Sequence, residues 1–231
     1  MKENKELKSN ANYFQKGETL RWISIGLLVL TAVLYFFGMG YISYIIMSIG
    51  LPLGAILFVI STFGRSSQAD IDTYVKRHTE NVGYRTDDPQ ELEKRILKNI
   101  SVQTAEGYDF GEGLMYKRDK NQQLRSSRYH KAVIYPFVTG LFICSRRLSL
   151  VSDEVEDAET EIPYADIVDI GTRQEEKSLT FGKNTFRAKE TLLVIERTDG
   201  TSLLFPIQDS VATDEFVEKL RRHVAESKTA E

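Results

Sequence analysis

Cysteine is nearly absent from the chain, since Cys144 is the single cysteine among 231 residues. One cysteine excludes an internal disulfide framework and a zinc site built from cysteines. An excess of positive charge is missing as well, because 30 lysines and arginines face 33 aspartates and glutamates, for a net charge of −3. This balance excludes a broadly cationic nucleic-acid binder, so we expect no nucleic-acid partner.

Recognisable catalytic patterns are also missing. His78, His130 and His223 lie in different predicted elements, without the spacing of metal ligands. No nucleophile elbow, HExxH or Walker pattern occurs. Cys144 lies in a predicted strand, which favours a buried core thiol over a nucleophile. The sequence therefore predicts a protein that is not an enzyme, with no catalytic residue, no metal site and no cofactor.

Charge is missing altogether from one long segment. Residues 22–64, 43 in number, include no charged side chain. A single helix of that length would reach roughly 64 Å, about twice the hydrocarbon core of a bilayer. Two helices are therefore predicted, over 20–37 and 41–63, with a glycine-rich turn at 38–40. We interpret 20–64 as a transmembrane hairpin, which predicts an integral membrane protein with two spans.

The residues around and within this hairpin predict its orientation and packing. Lysines and arginines precede the first span and follow the second, whereas the turn carries none. The positive-inside rule then places both termini in the cytoplasm and the protein in the cytoplasmic membrane, as a multi-pass protein. Gly50 and Gly54 have small-xxx-small spacing in the second helix, and we interpret them as a helix-packing face.

A helical connector is predicted over 65–111. Ser67 followed by Asp70 resembles a capping box, and Tyr74 and Val75 belong to one apolar face. Amphipathic helices this short need a surface that covers them. Whether the connector packs on the domain that follows or forms a stalk stays open.

From residue 112 the pattern changes to short β-rich runs separated by turns. Asp199-Gly200 stands between two such runs, 191–197 and 202–206, and is typical of a tight hairpin. An amphipathic helix is predicted at 214–225 near the end of the chain. Further strands are predicted at 114–117, 131–135, 138–144, 147–151 and within 162–170.

Two motifs in this β-rich part carry a resemblance to a known family. Residues 140–148, Gly-Leu-Phe-Ile-Cys-Ser-Arg-Arg-Leu, resemble a strand-and-turn motif of bacterial PH-like (pleckstrin-homology) and GRAM-like domains, and 162–167 resembles the family's next strand. The resemblance implies a PH-like split β-barrel capped by a C-terminal helix. The whole fold class is then a membrane α-helical hairpin plus an α+β cytoplasmic domain. The predicted segments are a cytoplasmic tail at 1–19, the hairpin at 20–64, the connector at 65–111, the PH-like domain at 112–226 and a tail at 227–231.

A basic run lies in the first part of the β domain, opposed only by Asp119. The resemblance places this run on the first strand–loop–strand, where lipid-binding members of the family collect cations that contact phosphate. Its side chains are therefore candidates for binding an anionic lipid head group. The alternative is a solvated loop. The candidates are Lys117, Arg118, Lys120, Arg125, Arg128 and Lys131.

An acidic run follows at 153–161, with six carboxylates in nine positions. A calcium loop of the EF-hand type needs a central glycine, and this run has none. The composition therefore favours a solvated acidic loop over a cation site.

Together these features predict a non-enzymatic, membrane-anchored scaffold that presents a PH-like domain at the cytoplasmic face and binds a protein partner or a second copy of the chain. Such a fold exposes an edge strand beside its terminal helix, which suits strand addition. Two alternatives stay open. One is sensing of anionic lipid through the basic run 117–131. The other is a role as an accessory subunit of a membrane transporter or envelope enzyme, through the face of Gly50 and Gly54.

Overall fold

The chain divides into two compact units, residues 1–71 and 72–231. The N-terminal unit is helical, and the C-terminal unit combines antiparallel sheets with helices. The computed structural model describes residues 2–15, 19–37, 41–62, 64–84, 89–207 and 211–229.

Three helices, α1 (Lys2–Gln15), α2 (Thr19–Phe36) and α3 (Tyr41–Thr62), make up most of the N-terminal unit. Helices α2 and α3 consist largely of apolar residues and pack against each other. The turn predicted at 38–40 lies outside the described residues. Helix α1 falls in the segment predicted as a tail, and it buries Leu7 and Phe14, which share one helical face.

Gly50 and Gly54 lie on the face of α3 that contacts α2. A Cβ atom at Gly50 would lie 2.5 Å from Thr31 Oγ1, and one at Gly54 would lie 2.8 Å from Leu28 Cδ2. The Thr31 hydroxyl donates to the Leu27 carbonyl at 2.7 Å, so its rotamer is fixed. The two glycines therefore allow close approach of two helices of the same chain.

The transmembrane prediction is wrong for the described residues, because no helix among them is both long and apolar enough to cross a membrane. Helix α2 has 18 residues and carries Arg21 near its start. The part of α3 with described side chains, 47–61, is shorter than the roughly 20 apolar residues of a span. This finding corrects the two-span hairpin at 20–64, the integral membrane association and the multi-pass location in the cytoplasmic membrane.

The C-terminal unit has two helices of its own, α5 (Pro89–Arg95) and α6 (Val211–Thr229), and most of α4 (Gln68–Thr79). Its described residues form nine strands: β1 (Gln103–Tyr108), β2 (Tyr116–Arg118), β3 (Leu124–Ser126), β4 (Arg128–Phe137), β5 (Gly140–Ser149), β6 (Val155–Pro163), β7 (Ile167–Phe181), β8 (Asn184–Arg197) and β9 (Ser202–Ile207).

These strands form three separate antiparallel sheets, in the orders β1-β4-β5-β6, β7-β8-β9 and β2-β3. The split-barrel prediction is wrong, because no ladder joins the two larger sheets in the described part of the chain. Where β1 approaches β9, Gly107 faces Pro206, and a Cβ atom at Gly107 would lie 3.0 Å from the proline Cβ. Proline has no N–H to donate, so side-chain packing replaces a hydrogen-bonded ladder here.

The main core of the C-terminal unit is built from alternate residues of both larger sheets and one face of α6. Leu141, Leu193 and Leu220 are fully buried there. Each large apolar side chain so buried contributes about 1.5–3 kcal/mol. Helix α6 includes the predicted helix 214–225 and covers the core with Phe216, Val217, Leu220 and Val224.

The Asp199-Gly200 hairpin prediction is confirmed. β8 pairs with β9 from Thr191 opposite Ile207 to the turn. Gly200 has a φ of 81°, in the left-handed region that glycine adopts without strain. The Thr201 N–H donates to the Asp199 carboxylate at 2.9 Å, and this bond completes the turn.

Most of the acidic run, residues 155–161, lies in strand β6, although the run was predicted as a loop. β6 pairs with β5 along its whole length. Arg146 of β5 holds Asp157 of β6 through two hydrogen bonds of 2.6 Å. A cross-strand pair of opposite charges stabilises a sheet, so the acidic residues of β6 match basic residues of β5. In the described chain β6 forms one edge of its sheet, and most of its side chains are exposed.

A capping box begins α4, as predicted. The Ser67 N–H donates to Asp70 Oδ2 at 2.7 Å, and the Asp70 N–H donates to Ser67 Oγ at 3.2 Å. The backbone N–H and the hydroxyl of Ser67 both lower the pKa of the Asp70 carboxyl. Ionised Asp70 therefore stabilises the start of α4.

We expect Gly50→Ala to destabilise the N-terminal unit by about 1–3 kcal/mol, because the new methyl group overlaps Thr31. Gly26→Ala is the matched control. A Cβ atom at Gly26 meets nothing within 4 Å, so this change should stabilise α2 by up to about 1 kcal/mol. Urea unfolding followed by the fluorescence of Trp22, the single tryptophan, measures both. Equal stabilisation by the two changes would contradict the packing described for Gly50.

We expect Asp70→Ala to lower the free energy of unfolding at pH 7 more than at pH 3. The folded pKa of Asp70 lies below the usual value of an aspartate, so its stabilisation is present above that usual value and is lost as the pH falls through the folded pKa. Urea unfolding at the two pH values, followed by circular dichroism, measures the difference between wild type and variant. A difference that grows toward acid pH would show that the charge of Asp70 does not stabilise α4.

Candidate functional site

A cleft of about 1210 Å³ opens in the C-terminal unit, and we call it the β8 cleft. One wall is the C-terminal part of α4, and another is the β2–β3 hairpin. Residues of β1 and β4 line its floor, and the far side is formed by β8 and the end of β9. Four separate parts of the unit therefore meet around one cavity.

The cleft exists because β9 is much shorter than β8. Among the residues that the structure describes, β9 pairs with β8 as far as Thr191, which lies opposite Ile207. Beyond that point, residues 184–190 of β8 pair with β7 alone among the described residues. The N-terminal half of β8 is therefore a strand edge that faces the cleft.

The direction of the backbone groups along this edge follows from the hairpin turn. The Arg197 N–H donates to the Thr201 carbonyl at 2.9 Å, so the backbone of Arg197 faces β9. In an antiparallel strand, N–H and C=O groups alternate between the two sides. By this alternation Arg187 and Lys189 direct their N–H and C=O groups away from β7, toward the side that β9 leaves open.

Arg125 of β3 ties three walls of the cleft together. Its Nε donates to Asp119 Oδ2 at 3.2 Å, and its Nη1 donates to Asp72 Oδ1 of α4 and, at 2.9 Å, to the Tyr108 hydroxyl of β1. The side chain of Arg125 is 11% exposed, so these charge-assisted bonds lie largely out of water. The guanidinium group therefore fixes α4 and β1 against the β2–β3 hairpin.

Asp119 shapes the turn that presents Arg125. Its side chain is completely buried and accepts the N–H groups of Asn121, at 2.8 Å, and Gln123, at 3.0 Å. Gln122, between them, has a φ of 63°, which is uncommon for a residue with a side chain. One carboxylate thus holds a strained turn and orients the arginine that follows it.

Tyr129 of β4 lies in the floor of the cleft beside Tyr108, with ring centroids 5.2 Å apart in an edge-to-face arrangement. Burial raises the pKa of the Tyr129 hydroxyl strongly, and the charge of Glu106 raises it further. Glu106 also lies 3.7 Å from Lys131 Nζ. Tyr129 therefore remains a neutral hydroxyl at any physiological pH.

Lys177 and Glu190 form an ion pair in the middle of the β7–β8 hairpin. Burial raises the pKa of Glu190, although the neighbouring Lys177 opposes this shift. The Lys177 ammonium also lies 3.3 Å from Glu175 and donates to the Phe110 carbonyl at 3.3 Å. This pair therefore satisfies the one buried carboxylate of the cleft and attaches the segment after β1 to the hairpin.

The structure divides the predicted basic run. Arg118, Arg125 and Lys131 line the β8 cleft. Arg128 lies on another side, with its Nη2 atom 3.9 Å from Glu154 Oε2. The anionic-lipid role of the run stays a prediction. The candidates that do not line the cleft are Lys117, Lys120 and Arg128.

Sequence reasoning missed the contribution of β8 to this site. Arg187 and Lys189 line the cleft from a strand far along the chain. A signal was present, because Arg187 and Lys189 alternate with Phe186 and Ala188 in the manner of a half-buried strand. The strand pairing that brings them to the basic run is not visible in that pattern.

The three histidines pack on aromatic rings, with centroids 4.0–5.6 Å apart. In the ranges that the structure describes, no three histidine, cysteine, aspartate or glutamate side chains are grouped so as to hold a metal ion. Cys144 is buried in β5, which confirms the prediction of a core thiol. The ring pairs are His78–Tyr74, His130–Phe205 and His223–Tyr164.

Comparison of the chain with family models, curated proteins and solved structures finds no match. The predicted membership in the bacterial PH-like and GRAM-like family, with an N-terminal transmembrane hairpin, is therefore corrected. The function has to be argued from the cleft itself.

We expect Asp119→Ala to lower the free energy of unfolding by about 3 kcal/mol, because two backbone N–H groups lose their acceptor and the buried guanidinium of Arg125 loses one of its acceptors. Asp199→Ala is the matched control, since the Asp199 carboxylate also accepts a backbone N–H two residues later in a turn, but at a half-exposed position. Its loss should be clearly smaller. Chemical denaturation of both variants measures the two losses, and equal losses would contradict the role given to Asp119.

Proposed function

We propose that this protein is a non-enzymatic binding module that captures an extended polypeptide segment by strand addition in the β8 cleft. One observation carries the proposal. β9 ends opposite Thr191, so the N–H and C=O groups of Arg187 and Lys189 face the cleft without a strand beside them in the described chain. A bound segment would continue the line of β9 and pair with this edge.

The dimensions of the edge favour a polypeptide over a small ligand. Residues 184–190 of β8 extend over roughly 23 Å, at about 3.3 Å per residue. The cleft, at about 1210 Å³, is larger than the 300–1,000 Å³ of most small-molecule sites. An extended segment of about six residues matches both the length and the regular spacing of donors and acceptors.

The walls of the cleft are held in place before any segment binds. Arg125 joins α4, β1 and the β2–β3 hairpin through Asp72 and Tyr108. Lys177 and Glu190 secure the other side. A site that is ordered in advance loses less conformational entropy on binding, which supports recognition rather than incidental contact.

We expect Lys189→Pro to weaken binding roughly tenfold or more relative to Lys189→Ala, because proline removes the N–H that faces the cleft and its ring occupies that side. Lys189→Ala loses the same charge but keeps the N–H, so it is the matched control. The probe is a peptide selected on the full-length protein from a displayed library of random sequences. Fluorescence anisotropy measures the affinity of this peptide for each variant. Equal affinity for the two variants would contradict strand addition.

Hydrogen exchange gives a second test that needs no variant. The amide groups of Arg187 and Lys189 should exchange more slowly when the selected peptide is bound, because they then donate to its carbonyl groups. The amide of Ala188, which the strand alternation turns toward β7, is the internal control and should change little. Protection confined to α4 or to the β2–β3 hairpin would contradict the proposed mode of binding.

A further inference from the structure

We infer that the segment bound in the β8 cleft carries acidic side chains at alternate positions, with apolar side chains between them. The inference rests on the strand addition proposed above and specifies the chemistry of the partner. It follows from the charges that the cleft leaves uncompensated and from the alternation of side chains along β8.

Several charges in and beside the cleft already compensate each other. Arg125 is held by Asp72 and Asp119. Lys131 lies 3.7 Å from Glu106, and Glu190 pairs with Lys177. These groups contribute three cations and four carboxylates, so together they carry a net charge of −1.

The remaining charges of the cleft are mainly positive. Four cations that line the cleft form no ion pair with any residue that the structure describes. Two carboxylates that line the cleft also form no ion pair with a described residue. This surplus favours an anionic segment and opposes a cationic one. The four cations are Lys76, Arg118, Arg187 and Lys189, and the two carboxylates are Glu80 and Glu176.

The position of two of these cations on β8 sets the spacing of the acidic residues. Arg187 and Lys189 lie on the exposed face of β8, two residues apart. Side chains directly opposite each other on neighbouring strands have Cβ atoms about 4.5–5.5 Å apart. Carboxylates at two alternate positions of an added strand would therefore each face one of these cations.

The intervening residues of the added strand turn to the other face, which is apolar. There Phe186 and Ala188 of β8 pack in a cluster with Tyr116. Phe110 and Leu124 belong to the same cluster and also line the β8 cleft. An alternating acidic and apolar segment matches both faces of the edge at once.

The probes are three synthetic peptides of about ten residues. They alternate Glu with Val, Gln with Val, and Lys with Val. We expect the full-length protein to bind the Glu/Val peptide roughly tenfold more tightly than the Lys/Val peptide, with Gln/Val between them. Raising the salt concentration from about 50 to about 500 mM should remove most of this preference, because the pairs are exposed.

A charge-reversed variant tests which cations carry the preference. Arg187→Glu combined with Lys189→Glu should reverse the order of the Glu/Val and Lys/Val peptides. Lys183→Glu combined with Arg222→Glu is the control, because it changes the net charge equally at exposed positions outside the cleft. The control should keep the wild-type order. Loss of preference in the control variant alone would overturn the assignment to Arg187 and Lys189.

The outcomes separate this inference from the proposed function. Binding that is lost in Lys189→Pro but is equal for all three peptides would overturn the acidic preference and leave strand addition standing. If Lys189→Pro weakens the binding of none of the three peptides, both the acidic preference and strand addition are overturned. If the charge-reversed variant fails to fold, the comparison of the three peptides on the wild-type protein still decides the preference.

Discussion

The hydrogen bonds of the buried Arg125 guanidinium group hold together the part of the C-terminal unit that surrounds the β8 cleft. A cation that is largely removed from water has to be compensated, and here a helix, a turn and a strand each supply one acceptor. Because the three acceptors come from distant parts of the chain, satisfying this one group also sets the distance between the walls. The contacts of Arg125 thus set the distance between α4, β1 and the β2–β3 hairpin, and a change in that distance would break a bond to the buried cation.

Structural features that depend on residues adjacent in the sequence could be predicted from the sequence. The capping box of Ser67 and Asp70 and the turn at Asp199-Gly200 each depend on a few adjacent residues, and the structure has both. The left-handed backbone of Gly200 is an example, because it depends only on glycine itself and on the four-residue turn that contains it. The burial of Cys144 followed from its position in an apolar, β-rich run.

Features that depend on pairing between distant segments were not predictable. Residues 138–151 read as two strands meeting at Ser145-Arg146, but β5 runs unbroken through that point because Arg146 has a carboxylate of β6 beside it. The cleft was missed for a related reason, since it arises from the unequal lengths of β8 and β9. The charge-free run at 22–64 was interpreted from its length, its glycine turn and its flanking charges, and these do not distinguish a bilayer from other surroundings of apolar helices.

Two strand edges of the C-terminal unit, that of β6 and that of residues 184–190 of β8, differ in charge, and this difference has a consequence for self-association. An unprotected edge invites a second molecule to extend the sheet without limit. Along β6, three glutamates and Asp157 are distributed over both faces of the strand, so two such edges brought together would repel each other. The molecule therefore discourages uncontrolled polymerisation at β6 while leaving β8 approachable. That protection is chemical rather than geometric, so strong screening by salt would weaken it.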